Sequence, residues 1–272
     1  MNAVLGIGAR ARAALQASGG LAHPLDAFPD APYFLAAGEI IWVGSRLPAR
    51  HPRAVLTAAP ALRGRIAKFA SLPRGAWSAA LPPAERGTHR VAGAACLRLI
   101  ASIDALGDPR GFGELLAGRV PAFPLDLAIA RVNALAAGYR GKDPEAVYRA
   151  SRALLGFGTG LTPSGDDLCG AALFGRMLAS MDPRWRKLGA RLARDVRSAS
   201  HAISAALFAD LVAGASFEPL HALAVALAAG DDPAAINAAS ALVALGHSSG
   251  WDMLTGFVIG VNAHDSFPWN RS

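Results

Sequence analysis

The segment GFGTGLTPSGDDLCG, from Gly156 to Gly170, contains five glycines and lies between two segments with helical periodicity. Glycine and proline interrupt regular structure, whereas the spacing of Ser164 and Asp167 is that of a capping box and predicts a helix that begins there. A glycine-dense loop that leads into a helix start exposes backbone N–H groups, which suit phosphate or carboxylate oxygens. We therefore predict that a small anionic ligand binds at this helix start.

A second segment, GHSSGWDMLTGFVIG from Gly246 to Gly260, repeats the pattern 85 residues further along the chain. Ser249 is the predicted N-cap and Asp252 again follows it by three residues. We predict that the two helix starts lie side by side and face one cavity. An anion site there also requires that at least two of the three aspartates, Asp166, Asp167 and Asp252, accept hydrogen bonds from backbone N–H groups or neighbouring hydroxyls, so that other N–H groups stay free for the ligand.

The chain around these two segments, from residue 86 to residue 272, has the periodicity of an all-α domain. One helix is predicted to end at Gly107 and another at Gly138. Three later helices begin with an aspartate N-cap followed by proline, which is favourable in the first turn. These caps are Asp143, Asp182 and Asp232. The segment from Pro183 to Ala213 is long for one helix and is expected to break near residues 198–201.

Residues 1–85 are rich in proline and contain short runs typical of strands, including YFLAAGEIIWVGS with a turn at Gly38. This pattern predicts a small β-rich domain. The fold class is therefore α+β, with a β-rich N-terminal domain at 1–85 and a helical domain at 86–272 that carries both signature segments.

Charge and composition exclude several classes of function. The net charge of +7 lies within residues 1–90, which hold 11 Lys and Arg against 4 Asp and Glu. No aromatic pattern accompanies this charge, so nucleic acid is not expected. No apolar run approaches the roughly 18 residues of a membrane-spanning helix. The two cysteines, Cys96 and Cys169, form no disulfide or metal pattern, and a cytoplasmic protein is expected.

The two segments resemble the signatures of a bacterial family of AllH-like proteins, which are similar to one subunit of a three-part oxamate carbamoyltransferase. The resemblance implies conversion of oxalurate and phosphate to oxamate and carbamoyl phosphate in allantoin breakdown, together with FdrA-like and AllG-like partner subunits. A homo-oligomer is also compatible, and neither a cofactor nor a metal is expected. The first segment carries over Gly158, Gly160, Thr162, Ser164, Gly165, Asp166 and Asp167. The second carries over His247, Ser248, Ser249, Gly250 and Asp252.

Carbamoyl transfer requires anion binding and a polarised carbonyl. We assign the catalytic roles to His247, Asp166 and Asp167. The histidine acts as an acid or hydrogen-bond donor, one aspartate is a cap, and the other binds an amide or ammonium group or orients the histidine. The remaining carried-over residues are assigned to substrate binding.

Two alternatives stay open. The same aspartates with His247 would form the site of a metal-dependent hydrolase if they surrounded a divalent ion. The chain would instead be a non-catalytic assembly subunit if the two segments served only as helix caps and as an interface.

Overall fold

The computed structural model describes residues 3–25, 32–58, 65–85 and 87–262. The chain divides into two compact units, of which the first comprises Met1–Ala79 with Ser216–Glu218 and the second comprises Ala80–Ala215 with Pro219–Ser272. The inclusion of residues 216–218 in the first unit is not foreseeable from the sequence. The α+β fold class is confirmed, with a curled sheet in the N-terminal part and helices in the C-terminal part.

The first unit contains a six-stranded sheet, whose strands are β1 Val4–Ile7, β2 Leu21–Pro24, β3 Tyr33–Ala36, β4 Glu39–Gly44, β5 Ala54–Thr57 and β6 Ala67–Lys68. Their order in the sheet is β1-β5-β4-β3-β2-β6. Ala37 and Gly38 both have positive φ, as a tight hairpin turn requires, and they join β3 to β4 as predicted. β4 and β5 pair in parallel, and the other neighbours are antiparallel.

One helix of the first unit is absent from the sequence prediction. This helix, α1, spans Ala9–Ala17, and it buries Leu15 in the same core as Phe34 and Ile41 of the sheet. Arg10 and Arg12 interrupt its apolar pattern, so the amphipathic signal of this short helix is weak. Its formation depends on packing against the sheet rather than on local propensity.

The second unit is helical. Its helices are α2 Thr88–Ala101, α3 Gly113–Leu116, α4 Ile129–Arg140, α5 Pro144–Arg152, α6 Ser164–Ala179, α7 Pro183–Ala199, α8 Ala202–Val212, α9 Glu218–Ala229, α10 Asp232–Val243 and α11 Ser249–Val261. The first residue of α9, Glu218, is assigned to the first unit, and the rest of α9 belongs to the second. Short 3-10 turns at Ile103–Leu106 and Leu125–Ala128 complete it. No helix of the described ranges is long and apolar enough to cross a membrane.

Helix boundaries follow the predicted signals with three corrections. The predicted helix to Gly107 ends at Ala101 and continues as a 3-10 turn, and α4 runs beyond Gly138 to Arg140. Asp143 and Asp182 cap their helices, but Asp231 rather than Asp232 caps α10, because its carboxylate accepts a hydrogen bond from the N–H of Ala234. The expected break lies between α7 and α8.

The two helices that carry the signature segments, α6 and α11, run parallel at the centre of the second unit. Glycines on α11 allow main chain to contact main chain, since a Cβ at Gly256 would lie 2.0 Å from the carbonyl oxygen of Leu168. A Cβ at Gly260 would lie 1.9 Å from the carbonyl oxygen of Ala172, one turn further along. This contact keeps the two helix starts level with each other.

Candidate functional site

The starts of α6 and α11 lie side by side, as predicted. The hydroxyl oxygens of Thr162 and Ser249 are 2.9 Å apart and share a hydrogen bond. Ser164, at the start of α6, hydrogen-bonds to the carboxyl group of Asp252 on α11. Two segments that are far apart in the sequence therefore form one polar cluster.

The predicted capping boxes are wrong. Pro163 occupies the N-cap position of α6 and Ser248 that of α11, and neither helix has a side-chain capping hydrogen bond. The physical reason is burial: the parallel packing of α6 on α11 turns Ser164, Asp167 and Asp252 toward each other instead of back along their own helices. The serines and aspartates of the motif are therefore available for the shared cluster.

Asp166 is fully engaged by the protein. Its carboxylate accepts a hydrogen bond of 2.8 Å from the N–H of Gly156 and one of 2.6 Å from the hydroxyl of Ser204. Because both oxygens have partners and the side chain is buried, Asp166 closes the loop that leads into α6. Its hydrogen bonds to Gly156 and Ser204 give Asp166 a structural role, and neither of them involves His247.

Asp167 and Asp252 form the acidic centre of the cluster. Asp252 accepts a hydrogen bond of 2.7 Å from the N–H of Phe112 and further hydrogen bonds from Ser164 and Ser248. Burial, followed by the charge of Asp252, raises the pKa of Asp167 well above its usual range, against hydrogen bonds from Ser249 and Thr162. Burial also raises the pKa of Asp252 to about 7. All three aspartates thus accept hydrogen bonds, which is the first of the two conditions for an anion site. The second condition, that N–H groups of the helix starts stay free for the ligand, is not met at Gly165 and Gly250.

Two of the predicted ligand-binding glycines are required by packing. A Cβ at Gly165 would lie 1.9 Å from the carbonyl oxygen of Leu154, and a Cβ at Gly250 would lie 2.0 Å from that of Leu242. Their N–H groups are already used, by the carbonyl oxygens of Phe157 and Leu245 respectively. These amides are therefore not free to bind an anion.

Gly158 and Gly160 shape the loop before α6. Both have positive φ, of 114° and 97°, a conformation that favours glycine. At Gly158 a side chain would also collide with the start of α6, because its Cβ would lie 2.8 Å from the nitrogen of Ser164. The loop geometry therefore accounts for both glycines.

His247 lies at the surface of the cluster rather than among its carboxylates. It is exposed, and its Nδ1 lies 3.5 Å from a guanidinium nitrogen of Arg110. The two side chains line a cavity of about 270 Å³ with Gly246 and Trp251 at the start of α11. Asp108 also lines this cavity, so its charge is mixed.

The segment from Arg110 to Phe112 joins this cavity to the buried carboxyl groups, and the sequence prediction missed it. Arg110 faces the cavity, a Cβ at Gly111 would lie 2.4 Å from Oδ1 of Asp252, and Phe112 donates its N–H to the same oxygen. The available signal is a repeated tripeptide: Gly-Phe-Gly occurs at 111–113 and at 156–158, and each copy donates one N–H to a buried aspartate.

The arrangement required by the metal-dependent alternative is not found. Within residues 3–25, 32–58, 65–85 and 87–262, no group of three or more histidine, cysteine, aspartate or glutamate side chains is arranged to hold a metal ion. Asp166 is satisfied by the protein, and His247 pairs with Arg110.

A larger cavity lies elsewhere. It has a volume of about 610 Å³ within the first unit and is lined by Arg50, His51 and Trp77, among others. None of the predicted site residues lines it. The carboxyl cluster, rather than the larger cavity, is therefore the candidate site.

Comparison with known proteins agrees with the resemblance drawn from the two signature segments. The model of a family described as oxamate carbamoyltransferase subunit AllH matches residues 154–261. The match begins just before the loop that leads into α6 and ends with α11, so it contains both segments but less than half of the chain. No curated protein and no solved structure shows significant similarity to the chain.

Proposed function

We propose that this chain is a subunit of a cytoplasmic, oxamate carbamoyltransferase-like complex that converts oxalurate and phosphate to oxamate and carbamoyl phosphate. Its partners in this proposal are FdrA-like and AllG-like subunits. The observation that carries the proposal is the convergence of both signature segments, within the range matched by the family model, into one cluster joined by the hydrogen bond between Thr162 and Ser249.

The anionic part of the substrate binds, in this proposal, at Arg110 and His247. The helix-start amides of Gly165 and Gly250 are occupied, so the guanidinium group is the better anion ligand, and it offers two parallel N–H donors to a carboxylate or phosphate. Because a guanidinium group can only donate, Nδ1 of His247 accepts from Arg110, and the Nε2–H of His247 is the donor that this proposal assigns to the ligand. In this assignment the anion is bound by two side chains, and not by the backbone N–H groups of the helix starts that the sequence predicted.

The test is the activity of the chain copurified with its two partner subunits. Arg110→Ala is expected to raise the KM for the anionic substrate about tenfold, since a charge-assisted hydrogen bond contributes about 1.5–3 kcal/mol and part of this is lost to solvent. Arg186→Ala, an exposed arginine on α7, is the matched control and should leave the KM unchanged.

Two results would reject this function. Equal activity of the complexes with Arg110→Ala and Arg186→Ala would remove the anion site from this cavity. Full activity of a complex with both Thr162→Val and Ser249→Ala would favour the assembly role, because the cluster would then be dispensable for the reaction.

A further inference from the structure

Two oxygen atoms of the carboxyl cluster are buried and have no hydrogen-bond partner in the part of the chain that the structure describes. They are Oδ2 of Asp167 and Oδ2 of Asp252, and their side chains are 6% and 0% exposed. Phe112 donates its N–H to Oδ1 of Asp252. The hydroxyl groups of Thr162 and Ser249 lie next to the carboxyl group of Asp167, and those of Ser164 and Ser248 lie next to that of Asp252. Buried polar atoms are nearly always paired, so two orphans in one cluster indicate an absent partner.

No positive charge among the described residues compensates these carboxyl groups. Neither takes part in an ion pair among the described residues. The charged groups that act on Asp167 are the carboxyl groups of Asp252 and Asp166. The other elements packed against the cluster contribute neutral donors. The hydroxyl of Ser204 on α8 donates to Asp166, and the N–H of Phe112, before α3, donates to Asp252. Two buried carboxylates that repel each other are too costly to ionise together, so one of them retains a proton.

We propose that Asp167 and Asp252 share one proton and together bind the carbamoyl group, –CO–NH₂, of a small ligand. A carboxylic acid presents an O–H donor and a carboxylate presents an acceptor, and a planar carbamoyl group offers the complementary carbonyl oxygen and N–H. The inference rests on the proposed function for the identity of the ligand, and it goes beyond it by assigning the protonation state and the group that is recognised. Thr162 and Ser249, which are half-buried, are the part of the cluster that reaches the surface.

Infrared spectroscopy of the purified full chain tests the proton directly, without any need for activity. The carbonyl stretch of a protonated carboxylic acid is expected at neutral pH, where exposed carboxyl groups are ionised. The band should disappear in the double variant Asp167→Asn/Asp252→Asn and persist in Asp143→Asn, which changes an exposed helix cap. In Asp252→Asn the pH at which the band is lost should fall, because Asp167 no longer faces a second carboxylate.

Calorimetric titration of the three-subunit complex tests the ligand. Oxamate affinity is expected to fall about tenfold for each pH unit above the midpoint of the infrared band, since the protonated fraction of the pair falls by that factor. The double variant should bind oxamate with no such pH dependence. Oxalate, which lacks the carbamoyl group, should show no such dependence in either protein.

The outcomes separate this inference from the proposed function. Absence of the band at neutral pH, its survival in the double variant, or its removal by magnesium alone would overturn the shared proton even if Arg110→Ala behaves as expected. If the affinity for oxamate stays constant over the pH range in which the infrared band is lost, the shared proton does not recognise the carbamoyl group. If the infrared band behaves as expected but the KM of the complex is unchanged by Arg110→Ala, the shared proton is supported and the proposed carbamoyltransferase function is rejected.

Discussion

The contact between α6 and α11 yields a sharp test in Gly256→Ala. The added Cβ would lie 2.0 Å from the carbonyl oxygen of Leu168 and 2.8 Å from its carbonyl carbon, and both are backbone atoms that cannot rotate away. The helices would have to separate by about 1 Å to restore an ordinary contact. Overpacking of this kind costs about 3 kcal/mol or more, and alanine recovers about 1 kcal/mol of helix propensity. We expect a net loss of about 2 kcal/mol.

Urea denaturation followed by far-ultraviolet circular dichroism measures this loss, because the signal comes mainly from the helices. Gly141→Ala is the matched control: its φ of −69° and ψ of −6° are helical, and its Cβ would approach the nearest atom only to 3.3 Å. The control should be unchanged or slightly more stable. If Gly256→Ala were as stable as Gly141→Ala, close backbone contact would not hold the two helix starts together, and the geometry of the carboxyl cluster would need another explanation.

Three further predictions concern the buried and capping carboxylates. The folded-state pKa of Asp252 is raised from 3.8 to about 7, so its protonated form stabilises the fold fully below pH 4. This stabilisation, about 4 kcal/mol in total, is lost as the pH rises toward 7. In unfolding experiments at a series of pH values, Asp252→Asn should flatten this decline. Ser204→Ala removes one hydrogen bond from buried Asp166 and should lower the free energy of unfolding by about 1–3 kcal/mol in urea, and a variant as stable as the parent would contradict that contact. Asp231→Ala should lower the free energy of unfolding by about 1 kcal/mol, whereas Asp231→Asn keeps a side-chain oxygen that can accept the N–H of Ala234 and should cost less; equal losses in the two variants would contradict the cap.

Local signals in the sequence determined where most elements of the second unit begin and end. The Asp-Pro pairs place helix starts at Asp143 and Asp182, and the glycine-dense loop ends at the start of α6, because caps and chain-breaking residues act within a few positions of the chain. The repeated S-G-x-D pattern likewise predicted that α6 and α11 begin with equivalent groups and lie side by side. The helix α1 was not predicted, because the sheet beneath it supplies most of its stabilisation.

Only the tertiary structure decided what the aspartates do. Asp166 bonds to Ser204, 38 positions away, and Asp252 bonds to Phe112, 140 positions away, so no local pattern contains either contact. In an isolated helix, Ser164 and Asp167 would satisfy the free N–H groups of the first turn. In the folded chain, the backbone contact of α6 with α11 buries both helix starts, and the carboxyl groups turn toward the hydroxyls and N–H groups that other segments bring to them. Burial among those distant partners is the physical reason that a pattern of helix caps became a shared carboxyl cluster.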